Sequence, residues 1–188
     1  MHPSMRSGVS KWWRLSRVQG DGQRSLPKNA NMDLDYIETS VISHATARPS
    51  SDPTTLALQQ QAKRWLTEQR PHYEVVTSQL VIDEASLGDP DAARRRLAAL
   101  DRIPVLPANP DVDSVADEII RRHMMPPSAR LDALHVATAA LAGVQYLLTQ
   151  NCTHIANATE LPRIYKLLQE LGLSGMLVCA PIEFFVGI

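Results

Sequence analysis

Four side chains in this 188-residue sequence have the chemistry to share one ion: Glu38, Glu84, Asp132 and Asn151. Three carboxylates and a carboxamide offer only oxygen ligands. Such sites favour Mg²⁺ or Mn²⁺ over zinc, with waters completing the octahedron. A divalent ion would neutralise a mutual repulsion that otherwise raises one or more of the carboxyl pKa values. It can also deliver a hydroxide and steady the charge on a phosphoryl group, which is the chemistry of phosphodiester hydrolysis. Other chemistries are poorly served. Cys152 and His154 stand two apart in a polar stretch, no Ser/His/Asp arrangement stands out, and there is no Walker A or GxGxxG run.

The elements that must position these residues are organised around Leu131–Ile155. It opens with an apolar segment of helical length, ended by Gly143, and continues through a strand-like run, Tyr146–Thr149, into a polar loop. On a helical wheel Leu131, Leu134, Thr138 and Leu141 fill one side while Val136, Ala139 and Ala140 populate the other. A helix apolar most of the way round is a buried one, so Asp132 and His135, three apart, share an inward strip. A buried carboxylate is expensive without a cation, a metal or good donors. Alternatively Asp132 serves its own helix start, four residues after Ser128, where an anion is favoured.

Before that stretch, Asp35–Ile42 reads as a strand running into a turn, with Glu38 after its first apolar pair. Ser43–Pro53 reads as loop and Thr54–Gln69 as a helix. Tyr73–Thr77 is a second strand, and Ser78 caps a helix through Ser86, ended by Gly88. Asp89 or Asp91 caps Ala92–Leu100, Ile103–Leu106 is a third strand, and Asp111–Met124 a further helix. After Tyr146–Thr149 come a helix over Leu161–Leu171, a strand over Met176–Cys179 and a helical turn at Pro181–Phe185. Short strands alternating with longer helices predict an α/β layer structure with a mostly parallel sheet. Ligands of such sheets sit off the carboxyl ends of the strands. Glu38, Glu84, Asp132 and Asn151 can all converge there.

Composition sets the bounds. With 44% hydrophobic residues the chain can bury a sizeable core as one domain. Residues 1–31 carry six basic side chains against Asp21, a net +5, which leaves −6 on residues 32–188 of a chain whose total is −1. That segment is rich in Gly, Ser and Arg and has no signal-peptide core. It reads as a disordered or upstream extension, with Met32 opening the folded unit. A basic arm that touches nucleic acid through Trp12 and Trp13 is the alternative. Two cysteines without a CxxC or zinc spacing point to a reduced, cytoplasmic setting. No apolar run reaches membrane-spanning length, so no membrane association is expected.

The segments YIETSVIS, VTSQLVIDEASLGDP, LDALHVATAALAGVQYLLTQNCTHIANA and CAPIEFF, in that order and spacing, resemble a PIN domain. More narrowly they are similar to the VapC-like toxins of type II toxin–antitoxin systems. The resemblance covers roughly residues 33–188. It implies a three-layer α/β/α sandwich, a Mg²⁺ or Mn²⁺ site of acidic residues and RNA cleavage. It also implies a cognate antitoxin that blocks the site, and a homodimer. Under it, Glu84 and Asp132 match family acids. Glu38 stands where most members have Asp, and Asn151 where many have Asp. Thr149 matches the family Thr, which can orient a ligand or water. Asn151 lowers the maximum charge of the site from −4 to −3, and Glu38 moves its carboxylate by one methylene.

The expected activity is therefore a Mg²⁺- or Mn²⁺-dependent endoribonuclease of toxin type. A catalytically weak PIN domain that binds RNA or a partner protein is the alternative, and a purely structural dimerising module a third. Bland roles suit the remaining polar residues. An all-oxygen ion site does not want His135, which reads as a supporting, packed residue. Asp83 lies about 100° round the helix from Glu84 and is expected in solvent. Arg94–Arg96 reads as a solvated face rather than an RNA patch. Trp65, Tyr146, Phe184 and Phe185 read as core.

Overall fold

Strand β1, Leu34–Ile37, is buried along its whole length, and Asp35 is its one charged residue. Burial on both faces is what the centre of a parallel sheet requires. β1 lies between β2 (Glu74–Val76) and β3 (Tyr146–Leu148), and β4 (Leu177–Cys179) continues beyond β3. The order is β2-β1-β3-β4 and every pairing is parallel. The structure, a computed structural model, describes residues 32–185. The extension expected at 1–31 lies outside the described residues.

Among the described residues seven α-helices connect and cover the strands: α1 (Thr39–Thr46), α2 (Pro53–Arg64), α3 (Gln79–Ala85), α4 (Pro90–Leu100), α5 (Val112–Arg121), α6 (Arg130–Ala142) and α7 (Leu161–Glu170). Together with the sheet they make the α/β/α sandwich that the sequence implied. Local chemistry sets several of the boundaries. Asp52 and Asp89 accept N-cap hydrogen bonds from Thr55 and Ala92, each followed by a proline at the first helical position. Ser78 caps α3 through Val81 N. Gly143 ends α6 in the left-handed conformation, at φ 66°, where a side chain would be strained.

Register sorts the side chains of the sheet into two faces. Tyr36 lies beside Val76 and Leu147, and Asp35 beside Val75 and Tyr146. Paired residues of parallel strands point the same way, and alternate residues point oppositely. Tyr36 thus turns to α6, where its hydroxyl meets His135. The Asp35 face carries an aromatic cluster in which Phe184 stands edge-on to Trp65, Tyr73 and Tyr146, at centroid distances of 5.8, 5.2 and 5.4 Å. Of the aromatics expected in the core, Trp65 is fully buried, whereas Tyr146, Phe184 and Phe185 are half-buried.

Two expected elements differ. The run from Thr39 is not the tail of a strand, nor does loop begin at Ser43: residues 39–46 are α1. Glu38 decides this by accepting from Ser40 N at 2.9 Å, so the chain turns into a helix immediately after β1. Val41, Ile42 and Ala45 are then buried from one face of it. Ile103–Leu106 forms no strand but one isolated parallel bridge, Thr77 to Val105. Pro104 and Pro107 flank that bridge and have no N–H to extend a ladder. Among the described residues no helix is long and apolar enough to cross a membrane.

Candidate active site

The carboxyl edge of the sheet gathers the residues singled out from the sequence. Glu38 follows β1 directly, Thr149–Asn151 follows β3, and Glu84 lies on the helix after β2. Asp132 projects from the first turn of α6, whose N-cap residue Ala129 offers no side-chain acceptor.

A run of hydrogen bonds joins three of the four. Thr149 Oγ1 donates to Glu38 Oε1 at 2.7 Å and accepts from Asn151 N at 2.9 Å. Asn151 Nδ2 in turn donates to Asp132 Oδ1 at 2.9 Å. Ser40 ties the same group together, since its hydroxyl donates to Glu38 and accepts from Gln150 N at 2.8 Å. Glu84 is reached through Thr39, the residue after Glu38, whose hydroxyl donates to Glu84 Oε2. His135 Nε2 approaches the same oxygen at 2.8 Å. Asp132 and His135 therefore share a helix but serve different carboxylate groups: Asp132 meets Asn151 and His154, and His135 meets Glu84.

Burial pushes the Glu84 pKa up, but hydrogen bonds from His135 and Thr39 outweigh it and leave the carboxyl below its ordinary value. Glu84 is thus held ionised. Asp132 keeps 22% of its side-chain surface exposed, as does Glu84, so both open to solvent at the edge. Glu38 is buried.

Some participants carried little signal in the sequence. His154 Nδ1 lies 2.7 Å from Asp132 Oδ2, and its backbone N–H donates to Asn151 Oδ1 at 3.1 Å. Only its spacing from Cys152 had marked it, and Cys152 plays no part in these bonds. Thr39 and Ser40 were visible only as the TS after Glu38. Asp83 behaves as expected, exposed and bonded to Gln79. In the arginine run, Arg94 pairs with Asp91 in solvent, whereas Arg95 and Arg96 donate to the backbone carbonyls of Thr46 and Ala85 at 2.9 Å each.

The donor set fits a hard divalent ion: carboxylate oxygens of Glu38, Glu84 and Asp132 and the amide oxygen of Asn151. Their present hydrogen bonds, however, leave no three Asp, Glu, His or Cys side chains among the described residues grouped closely enough to hold a metal.

The chain matches the PIN domain family over residues 36–158, which runs from within β1 to the loop after β3 and includes Glu38, Glu84, Asp132, Thr149, Asn151 and His154. It belongs to the PIN-domain family. No curated protein and no solved structure matched. PIN domains are typically nucleases, generally bind RNA and generally use divalent metals.

Proposed function

We propose that this protein is a Mg²⁺- or Mn²⁺-dependent endoribonuclease of toxin type, with Glu38, Glu84, Asp132 and Asn151 as its site. The observation that carries the reading is the hydrogen-bonded run Glu38–Thr149–Asn151–Asp132 along the carboxyl edge of a PIN-family sheet. The four residues would hold the ion, which when bound would activate water and neutralise phosphoryl charge. The chain's own contribution is placement. Glu38 is held by Ser40 and Thr149, and Glu84 by Thr39 and His135. Asp132 stays partly open to an incoming RNA. The toxin role, a cognate antitoxin and a homodimer are supported by the order and spacing of the sequence segments, which resemble toxin members of the family.

A second reading, a PIN domain that binds RNA or a protein without cutting, is favoured by one specific observation. Each Asp132 oxygen has a side-chain partner, Asn151 on Oδ1 and His154 on Oδ2. A labelled single-stranded RNA pool incubated with the protein across a Mn²⁺ series separates the two. Cutting that appears with Mn²⁺ and vanishes with chelator supports the nuclease. RNA retained by the protein but intact in every lane supports the binding module.

A further inference from the structure

We propose that Tyr36 is a positioning residue for Glu84, acting through His135. Buried between them is a hydrogen-bonded relay whose direction is set by chemistry. The inference rests on the reading of Glu84 as a site residue.

The relay starts at Ser78, the cap of α3, whose Oγ accepts from Val81 N at 3.4 Å. Ser78 Oγ lies 2.7 Å from Tyr36 Oη, Tyr36 Oη lies 2.9 Å from His135 Nδ1, and His135 Nε2 lies 2.8 Å from Glu84 Oε2. Tyr36 is fully buried, His135 is 1% exposed and Ser78 6%. Water therefore cannot substitute for a missing partner without displacing protein atoms.

Each atom's role then follows from its neighbour. Glu84 Oε2 already accepts from the Thr39 hydroxyl, so the proton it shares with His135 is the one on Nε2. The tautomer that carries it has a bare Nδ1, which accepts from Tyr36 Oη at 2.9 Å. Burial raises the Tyr36 pKa, so the phenol keeps its O–H and donates it to Nδ1. Ser78 donates in turn to the phenol oxygen. The opposite tautomer would set the bare Nε2 lone pair against a carboxylate oxygen at 2.8 Å, which is repulsive. One tautomer satisfies the whole relay, and it fixes both the imidazole plane and the carboxylate that the imidazole holds. The function of Tyr36 is thus distinct from that of its core neighbours on β1.

The experiment combines one spectrum with one double-mutant cycle. ¹⁵N NMR of the imidazole in the whole protein should show a ring proton on Nε2 of His135. A bare Nε2 overturns the relay. Tyr36→Phe keeps the ring and removes the donor. It should lower kcat for RNA cleavage about 10-fold or more with little change in KM, the scale seen when groups that orient ligands are lost. His135→Gln can present an amide N–H toward Glu84 without help from a phenol. In that background Tyr36→Phe should therefore have no further effect. Equal losses in both backgrounds would make Tyr36 a purely structural residue and overturn the proposal. A wild type that neither cuts RNA nor gains thermal stability with Mn²⁺ would instead defeat the reading of the site, and the proposal with it.

Discussion

Asn151 points its amide N–H at Asp132 Oδ1, 2.9 Å away, so a neutral donor stands beside that carboxylate. That bond makes Asp132 comfortable without an ion, because His154 occupies its other oxygen. The charge of the site is lower than in a four-carboxylate arrangement, and so is its need for a metal.

Replacing Asn151 by Asp should reverse that balance. The donor becomes a second carboxylate at hydrogen-bond distance from Asp132, so the metal-free protein should lose about 1–3 kcal/mol. Mn²⁺ should then raise the melting temperature more than in the wild type, and from a lower concentration, since an ion that binds only the folded state stabilises it by mass action. Thermal melts of both proteins across a Mn²⁺ series check this. Parallel responses would mean that Asn151 is not at the ion.

Thr149 holds Glu38 and Asn151 in register with a single hydroxyl that donates to one and accepts from the other. Thr149→Val preserves shape but leaves a buried carboxylate oxygen short of a donor, which should cost roughly 1–3 kcal/mol. Thr149→Ser keeps the hydroxyl and should stay within about 1 kcal/mol of wild type. Chemical denaturation of the three proteins reads both values. A Val variant as stable as wild type would show that the bridge contributes nothing.

Much of this arrangement could be read from residue order, and the exceptions have physical causes. Caps at Ser78 and Asp89 and the stop at Gly143 are local chemistry, so the helices they bound were legible. Helix α1 was not. Val41 and Ile42 favour strand in isolation, and only the Glu38 cap and burial against the core override that preference. The placement of Glu38, Glu84, Asp132 and Asn151 at one sheet edge followed from α/β topology. The roles of His154 and Tyr36 did not, because each depends on a contact distant in sequence: 22 residues to Asp132 for the first and 99 to His135 for the second. A tyrosine in an apolar strand looks like core until its hydroxyl partner is known.

Asp35 was the residue least visible in advance, since an acid near the start of a short strand reads as exposed. It is fully buried, and neither carboxyl oxygen has a hydrogen-bond partner. Burial, then the charge of Asp33, pushes its pKa from 3.8 up to about 8. The folded protein therefore holds this proton while the unfolded chain gives it up near pH 4. The stabilising contribution is complete below about pH 4 and is lost progressively as pH rises to about 8. Asp35→Asn removes the titration. Relative to that variant, the wild type should lose about 2–4 kcal/mol of stability between pH 5 and pH 8. Denaturant titrations at the two pH values measure the difference. A constant gap between the proteins would show that Asp35 does not carry a proton into the core.

The central claim is that these side chains form one ion-dependent cleavage centre, and the most direct measurement is the single-turnover rate of RNA cleavage at saturating Mn²⁺ for wild type and Asp132→Asn. Asn keeps the size of the side chain and an amide oxygen that can still accept from Asn151, but removes the charge that an ion needs. The account predicts a loss of at least about 100-fold, with the variant still folded. Equal rates in the two proteins would contradict it, because the cutting would then belong to a different site.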